Sequence, residues 1–241
     1  MLQKSRAVIL HQLKYTDSGI IVQAYTREFG RVSVIVKGMR SKKSGKHNAL
    51  FQPMSVLDLV FYQKESRSVQ VLREFSVSYS PLSIYSDIRK STIAMFLGEM
   101  MTSVLREESP NQVMYDFIET SVKYFDLSQS GYSNFHISFL IGLTGYLGFG
   151  PGPRSEASGR YFDFENGTFA AMPPVHGNYA DPGISSVLAE FLKASFDEAG
   201  KISLRGAVRN EVLETIIKYY STHLPGLKKI NSLEVLKEIF K

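Results

Sequence analysis

The chain contains no cysteine. That absence removes disulfides, thiolate metal ligands and cysteine nucleophiles together, and it is compatible with a reducing compartment. Long apolar runs are scarce as well. Only Ala7 to Leu10 is continuously apolar near the N-terminus, too short for the core of a signal peptide. The longest uncharged, largely apolar stretch, Ile137 to Phe149, reaches about two thirds of a membrane span. Together these features predict a cytoplasmic protein. The triplet Asn166-Gly167-Thr168 matches a glycosylation sequon, which carries no weight without a secretion signal.

Motifs of catalysis and nucleotide binding are also missing. Between Gly38 and Gly45 lie six residues where a P-loop has four, and His47 rather than Ser or Thr follows Lys46, so neither the phosphate cradle nor the magnesium ligand is there. Gly148-Phe149-Gly150-Pro151-Gly152-Pro153 does not continue as GxGxxG, and its prolines forbid the helix that would hold a pyrophosphate. There is no Gly-x-Ser-x-Gly elbow, and Ser155 and Ser158 have no evident base. His11, His47, His136, His176 and His223 are dispersed, none with a second ligand at metal spacing, and His136 reads as a core histidine. Asp163 and Glu165 alternate on an expected strand and read as a solvated pair on one face. The expectation is a binding protein, not an enzyme, with no cofactor and no metal.

What the chain does carry is unevenly distributed charge. Residues 1–80 hold 13 Lys and Arg against 5 Asp and Glu, whereas residues 81–241 hold 15 against 18. The asymmetry predicts two modules with different partners. Its centre is residues 30–53, where Val32, Val34 and Val36 alternate with Ser33, Ile35 and Lys37 as in a strand, and a loop follows. Arg31, Lys37, Arg40, Lys42, Lys43 and Lys46 fall in this stretch with no Asp or Glu among them. Such a patch attracts polyanions, a nucleic-acid backbone among them, and these six are the candidate phosphate-contacting residues, although basic loops are also common on solvated surfaces. Tyr15, Tyr25 and Tyr62 are candidates for stacking on bases, although tyrosine is also a favoured strand residue.

Period-two patterning places strands at Arg6–Lys14, Ile20–Arg27, Arg31–Lys37, Met54–Gln63 and Ser68–Tyr79. Five short strands with a long insertion after the third fit an OB-type barrel, with Asn48–Phe51 as a helical plug, and strand number alone fits an SH3-like barrel equally. Beyond Pro81 the period becomes helical. A long amphipathic helix runs from Ile84 to about Glu108, a second starts at Asn111, and a third, apolar on nearly all sides, spans Ser133–Leu147 and sits at the centre of a bundle. A hairpin at Tyr161–Phe169 turns at Asn166-Gly167, and helices follow at Ser185–Ala199, Leu204–His223 and Ser232–Phe240. The fold class expected is α+β and multidomain. Residues 1–80 form a five-stranded barrel and residues 81–241 a helical domain with a small hairpin insertion at about 150–182.

In this order the chain resembles the bacterial RecO family. The resemblance rests on Ala7-Val8-Ile9-Leu10, Tyr15-Thr16-Asp17-Ser18, Thr26-Arg27-Glu28-Phe29-Gly30-Arg31, Val36-Lys37-Gly38-Met39-Arg40 and Gln52-Pro53. It returns at Leu140–Gly148, at Tyr219-Tyr220-Ser221-Thr222-His223-Leu224 and at Ser232-Leu233-Glu234-Val235-Leu236. What the resemblance implies is an N-terminal OB fold followed by a helical domain, in a cytoplasmic, nucleoid-associated protein. It implies binding of single- and double-stranded DNA, annealing of complementary strands, and engagement of the acidic tail of single-stranded DNA-binding protein. It also implies work with RecR to place RecA on coated DNA. An acidic tail needs an apolar groove with a local cation, for which Lys123, Arg205 and Arg209 are candidates. A second reading is an OB-fold protein that binds structured RNA, with the helical half as scaffold.

One departure stands out. Many members of the family carry a four-cysteine zinc site after the third helix, and here Gly152–Gly177 has Ser155 and Ser158 but no cysteine. The hairpin is expected to persist through packing of Tyr161, Phe162, Phe164 and Phe169 instead. Elemental analysis of the purified protein should therefore find no tightly bound zinc; one stoichiometric zinc per chain would overturn this.

Overall fold

The computed structural model describes residues 1–16, 19–37, 50–64, 66–106, 109–152 and 160–240. Strands β1 (Leu2–Thr16), β2 (Gly19–Thr26), β3 (Gly30–Lys37), β4 (Val56–Tyr62) and β5 (Gln70–Tyr79) close into a barrel in the order β1-β2-β3-β5-β4. β1 pairs antiparallel with β4 over Leu2–Val8 and with β2 over Ala7–Thr16, so only Ala7 and Val8 have ladder partners on both sides. The barrel closes in parallel between β3 and β5, through Val34 opposite Gln70 and Ile35 opposite Val71. This crossover is a Greek-key closure, which selects the OB type from the two barrels that five strands allow.

Alternation along the strands sends Ala7, Ile9, Val22, Val34, Leu57 and Phe61 into the barrel. Phe51 is fully buried among them, with its ring centroid 4.9 Å from that of Phe75. It occupies the barrel as the expected plug would; Asn48 and Ala49 lie outside the described residues. Truncating a buried phenylalanine of this kind costs ~3–5 kcal/mol.

By contact the chain divides into two compact units, Met1–Leu127 with Ile230–Leu233, and Ser128–Lys229 with Glu234–Lys241. The first holds, besides the barrel, helices α1 (Leu82–Ser86), α2 (Ile88–Val104) and α3 (Gln112–Leu127). The single helix expected from Ile84 to Glu108 is thus broken at Asp87. Its extended backbone (φ −104°, ψ 120°) ends α1, and its carboxylate accepts Arg89 N at 2.7 Å and Lys90 N at 3.3 Å to cap α2. Apolar spacing runs through the break unchanged, so periodicity could not register it. α2 lies so close to β1 that a Cβ on Gly98 would sit 2.5 Å from Leu10 O, which makes glycine obligatory there.

A polar knot joins strand and helices in this unit. Lys90, only 2% exposed, donates from Nζ to Ser83 Oγ (2.6 Å), Phe125 O (2.9 Å) and Asp126 O (3.1 Å). Asp126 in turn accepts Tyr79 OH (2.7 Å), Ser83 N (2.8 Å) and Ile84 N (3.0 Å), tying the end of β5 and the start of α1 to the end of α3. Each donor meets an acceptor, as burial demands. Glu99 of α2 does similar work, accepting Asn231 N (2.9 Å), Ser232 N (2.8 Å) and Ser232 Oγ (2.5 Å) at the start of α8 (Ser232–Ile239).

In the second unit α4 (Phe135–Tyr146) is central and packs on α5 (Pro182–Lys193), α6 (Phe196–Lys201) and α7 (Gly206–His223). The run expected as one helix over Ser185–Ala199 is α5 and α6, parted at Ser195 by a capping box with Glu198. A three-stranded sheet has the order β7 (Thr168–Ala170), β6 (Tyr161–Asp163), β8 (Tyr179–Ala180), so the expected hairpin gains a third strand. Among the described residues no helix is long and apolar enough to cross a membrane.

The knot generates a pH dependence. Burial alone would raise the Asp126 pKa, but the hydrogen bonds from Tyr79, Ile84 and Ser83 together hold it below the ordinary carboxylate value. A depressed folded pKa contributes stability above the unfolded value, about 3.9, and loses it as pH falls through the lower folded value. Asp126→Asn should therefore destabilise the protein by about 1–3 kcal/mol at neutral pH. In denaturant titrations the gap to wild type should shrink below about pH 4; a gap independent of pH would contradict this account.

Candidate nucleic-acid interface

β3 behaves as its sequence pattern requires. Val32, Val34 and Val36 face the barrel interior, which leaves Arg31, Ser33, Ile35 and Lys37 on the outer side. Six residues of strand separate Arg31 from Lys37, about 20 Å, so these two candidates lie at opposite ends of β3. Arg31 Nη1 donates to Thr102 O (2.9 Å) and Leu105 O (3.2 Å), carbonyls at the C-terminal end of α2 that have no partner in the helix. There it lines a cleft of about 310 Å³ with Phe29, Ser33, Gln63 and Arg106. Lys37 is exposed and stands opposite Gly19, which in turn pairs with Thr16. Arg40, Lys42, Lys43 and Lys46 lie outside the described residues.

The three tyrosines separate clearly. Tyr25 is 2% exposed and belongs to the core, whereas Tyr15 is 58% and Tyr62 45% exposed. Tyr62 pairs with Leu2 and Tyr15 stands near the other end of the same strand, so they cannot serve one nucleotide. Tyr15 adjoins Thr16, whose β2 partner Gly19 stands opposite Lys37, whereas Tyr62 pairs with Val71, which stands opposite Ile35 of β3.

Two arginines of the first eighty residues are answered by carboxylates of α3. Arg27 forms a two-pronged pair with Asp116 of α3, Nε to Oδ1 at 3.1 Å and Nη2 to Oδ2 at 3.3 Å. Arg6 meets Asp58 at 3.4 Å and the buried Glu119 at 3.7 Å, and Glu119 also accepts Lys123 Nζ at 2.5 Å. These groups line a cleft of about 660 Å³ between barrel strands and α3 in which cations and carboxylates alternate. Sequence offered no sign of the pairings between the barrel strands and α3 made by these two arginines, whose members lie about ninety residues or more apart, Arg27 from Asp116 and Arg6 from Glu119. Among the candidate cations for an acidic tail, Lys123 is thus paired with Glu119, and Arg209 donates to Asn134 Oδ1 (3.0 Å) and Leu204 O (3.0 Å). Arg205, at the N-cap of α7, is exposed.

In the second unit the hairpin is held by aromatic rings. Phe162, Phe164 and Phe169 are buried; Phe162 lies 5.0 Å from Phe169 and 5.1 Å from Tyr219 between ring centroids. Tyr161 turns the other way and meets Tyr179 edge-on at 5.4 Å. Gly167 has φ +61°, and a Cβ there would lie 2.6 Å from Tyr219 OH, so the turn requires glycine. Asp163 departs from expectation. It is buried, not solvated, and its carboxylate accepts Glu165 N (2.8 Å), Asn166 N (3.2 Å) and Asn166 Nδ2 (2.8 Å), with His176 Nε2 at 3.3 Å. Burial works to raise its pKa, yet these bonds hold it below the ordinary value. Glu165 falls in the turn, so the two acids share no strand face. His136 is a core residue as expected: burial first, and the Arg209 charge second, push its imidazole down to about 3, so it stays neutral. Among the described residues no group of three or more His, Cys, Asp or Glu could hold a metal ion.

Two family models match the chain, Recombination protein O N terminal over residues 1–81 and Recombination protein O C terminal over residues 85–234. It is 34% identical over 240 residues to the DNA repair protein RecO of Phocaeicola vulgatus, covering all of both chains. It is 34% identical over 239 residues to that of Flavobacterium johnsoniae, covering 98% of each, and 31% identical over 244 residues to that of Porphyromonas gingivalis, covering all of both. An OB-type barrel, a helical part with a small sheet, and matches along nearly the whole length agree, and the chain belongs to the recombination protein O family.

Proposed function

We propose that this protein acts in DNA repair as a recombination mediator without catalysis of its own. In this reading it binds single- and double-stranded DNA through the barrel, anneals complementary strands, and works with RecR to load RecA onto DNA coated by single-stranded DNA-binding protein. Residues 1–80 are the DNA-binding part and residues 81–241 the partner-binding part. The observation that carries the reading is the end of the barrel at which Lys37 and Tyr15 are both exposed and from which the basic stretch through Lys46 departs.

The physics of annealing supports it. Two polyanions must be brought together, and lysine and arginine lower their mutual repulsion while releasing condensed counterions. Contacts of this kind are indifferent to base sequence and sensitive to salt. Arg31, Lys37, Arg40, Lys42, Lys43 and Lys46 are assigned as the contacting residues, with the loop cations foremost. The acidic tail of single-stranded DNA-binding protein is assigned to the helical part, with Arg205 as the available cation.

Replacing Arg40, Lys42, Lys43 and Lys46 together by Ala should abolish annealing of complementary oligonucleotides. It should also flatten the slope of log affinity against log salt by roughly 3–4, without change in thermal unfolding. Equal annealing by both proteins would remove the loop from the interface, and better binding of folded RNA than of single-stranded DNA would favour the RNA reading. A second expectation follows from the internal ion pairs. Asp116→Asn, which deprives Arg27 of its carboxylate, should delay elution from heparin to higher salt; elution at the same or lower salt would show that this pair does not restrain anion binding.

A further inference from the structure

Beyond Ile9, whose backbone still bonds Ser55 and Met54 just ahead of β4, β1 continues on β2 as far as Thr16 opposite Gly19. From Leu13 to Thr16 every residue is exposed, on both faces of the ribbon. The register shifts here: Lys14 pairs with Ile20 and Thr16 with Gly19, so Tyr15 is the extra residue of a β-bulge. A bulge re-aims the side chain it carries, and bulges gather at barrel rims and functional sites. Tyr15 and Leu13 are exposed apolar groups two residues apart. Lys14 lies between them in the chain and Lys37 stands opposite Gly19, the β2 partner of Thr16; neither ammonium has a hydrogen-bonded or ion-paired partner among the described residues. A tyrosine chosen for strand propensity alone packs on its neighbours, as Tyr25 does at 2% exposure.

Resting on the DNA-binding reading, we infer that Tyr15 is the base-stacking residue of the barrel and sets its preference for single strands over duplex. Lys14 and Lys37 hold the neighbouring phosphates, and Leu13 extends the apolar surface beneath the base. The physical basis of the preference is availability. An unpaired strand can turn the face of a base onto an aromatic ring, whereas in a duplex those faces are already stacked on each other. Lysines contribute to both forms, so the ring alone discriminates. Tyr62 pairs with Leu2 and Val71 and is no part of the β1–β2 hairpin, so it serves as the exposed-tyrosine control.

The test compares wild type, Tyr15→Ala, Tyr15→Phe and Tyr62→Ala for binding to an oligothymidylate of about 20 nucleotides and to a duplex of the same length. Tyr15→Ala should weaken single-strand binding by about tenfold, the scale of one stacked base, and leave duplex binding nearly unchanged. Tyr15→Phe and Tyr62→Ala should behave as wild type. The protein has no tryptophan, so Tyr15→Trp gives a single fluorophore whose emission should be quenched by the oligothymidylate and not by the duplex. Equal losses for both DNAs, unchanged single-strand binding, or quenching by duplex would each overturn the inference while leaving DNA binding intact. Failure of the wild type to bind either DNA would instead overturn the DNA-binding reading, and this inference with it.

Discussion

Strand β1 is 15 residues long against 8 for β2, and its ladders on the two sides overlap only at Ala7 and Val8. The rest of the first unit depends on this division. The first half closes the barrel against β4, and the second half rides on β2 past the buried core into the exposed run Leu13–Thr16. Two bulges make the path possible, one leaving Leu10 as the extra residue and the other Tyr15. At the first, the Leu10 carbonyl comes so close to Gly98 that α2 is held against the barrel. At the second, Tyr15 is left exposed next to Lys14 in the chain. One physical device, an extra residue in an antiparallel ladder, thus fixes a helix in one place and presents a ring in the other.

Charge is organised by the same fold. The excess of lysine and arginine in the first eighty residues is not spread evenly over the surface. Arg6 and Arg27 are answered by Glu119 and Asp116 of α3, and Arg31 is anchored to carbonyls at the end of α2. Lys14 and Lys37 remain at the hairpin end. An arginine already held by a carboxylate gains little from a phosphate, while Lys4, Lys64 and Arg67 are exposed as well. The helical elements of the first unit therefore shape the electrostatics of the barrel as well as supporting it.

The hairpin of the second unit is held by packing. Without cysteine, the sheet relies on Phe162, Phe164 and Phe169 against Tyr219, and on the Asp163 carboxylate gathering the amides of its turn. Buried aromatic area and a filled set of hydrogen bonds stabilise the sheet locally. The order of phenylalanines in the sequence made the rings predictable. The role of Asp163 was not, because a carboxylate on a short strand looks the same in sequence whether it faces water or its own turn.

Local chemistry was legible in the sequence wherever periodicity or a cap governs it. Period two located the five barrel strands to within a few residues, the plug residue Phe51 was identified, and the apolar α4 was recognised as central. Breaks at Asp87 and Ser195 escaped, since a capping side chain interrupts a helix without disturbing its apolar spacing. Tertiary structure alone decided the parallel closure of β3 on β5, the partners of Arg6 and Arg27, the knot at Lys90 and Asp126, and which tyrosine is exposed. The physical reason is range. Propensity and periodicity are properties of neighbouring residues, whereas strand register, charge pairing and burial are settled between residues tens of positions apart, once the chain has closed on itself.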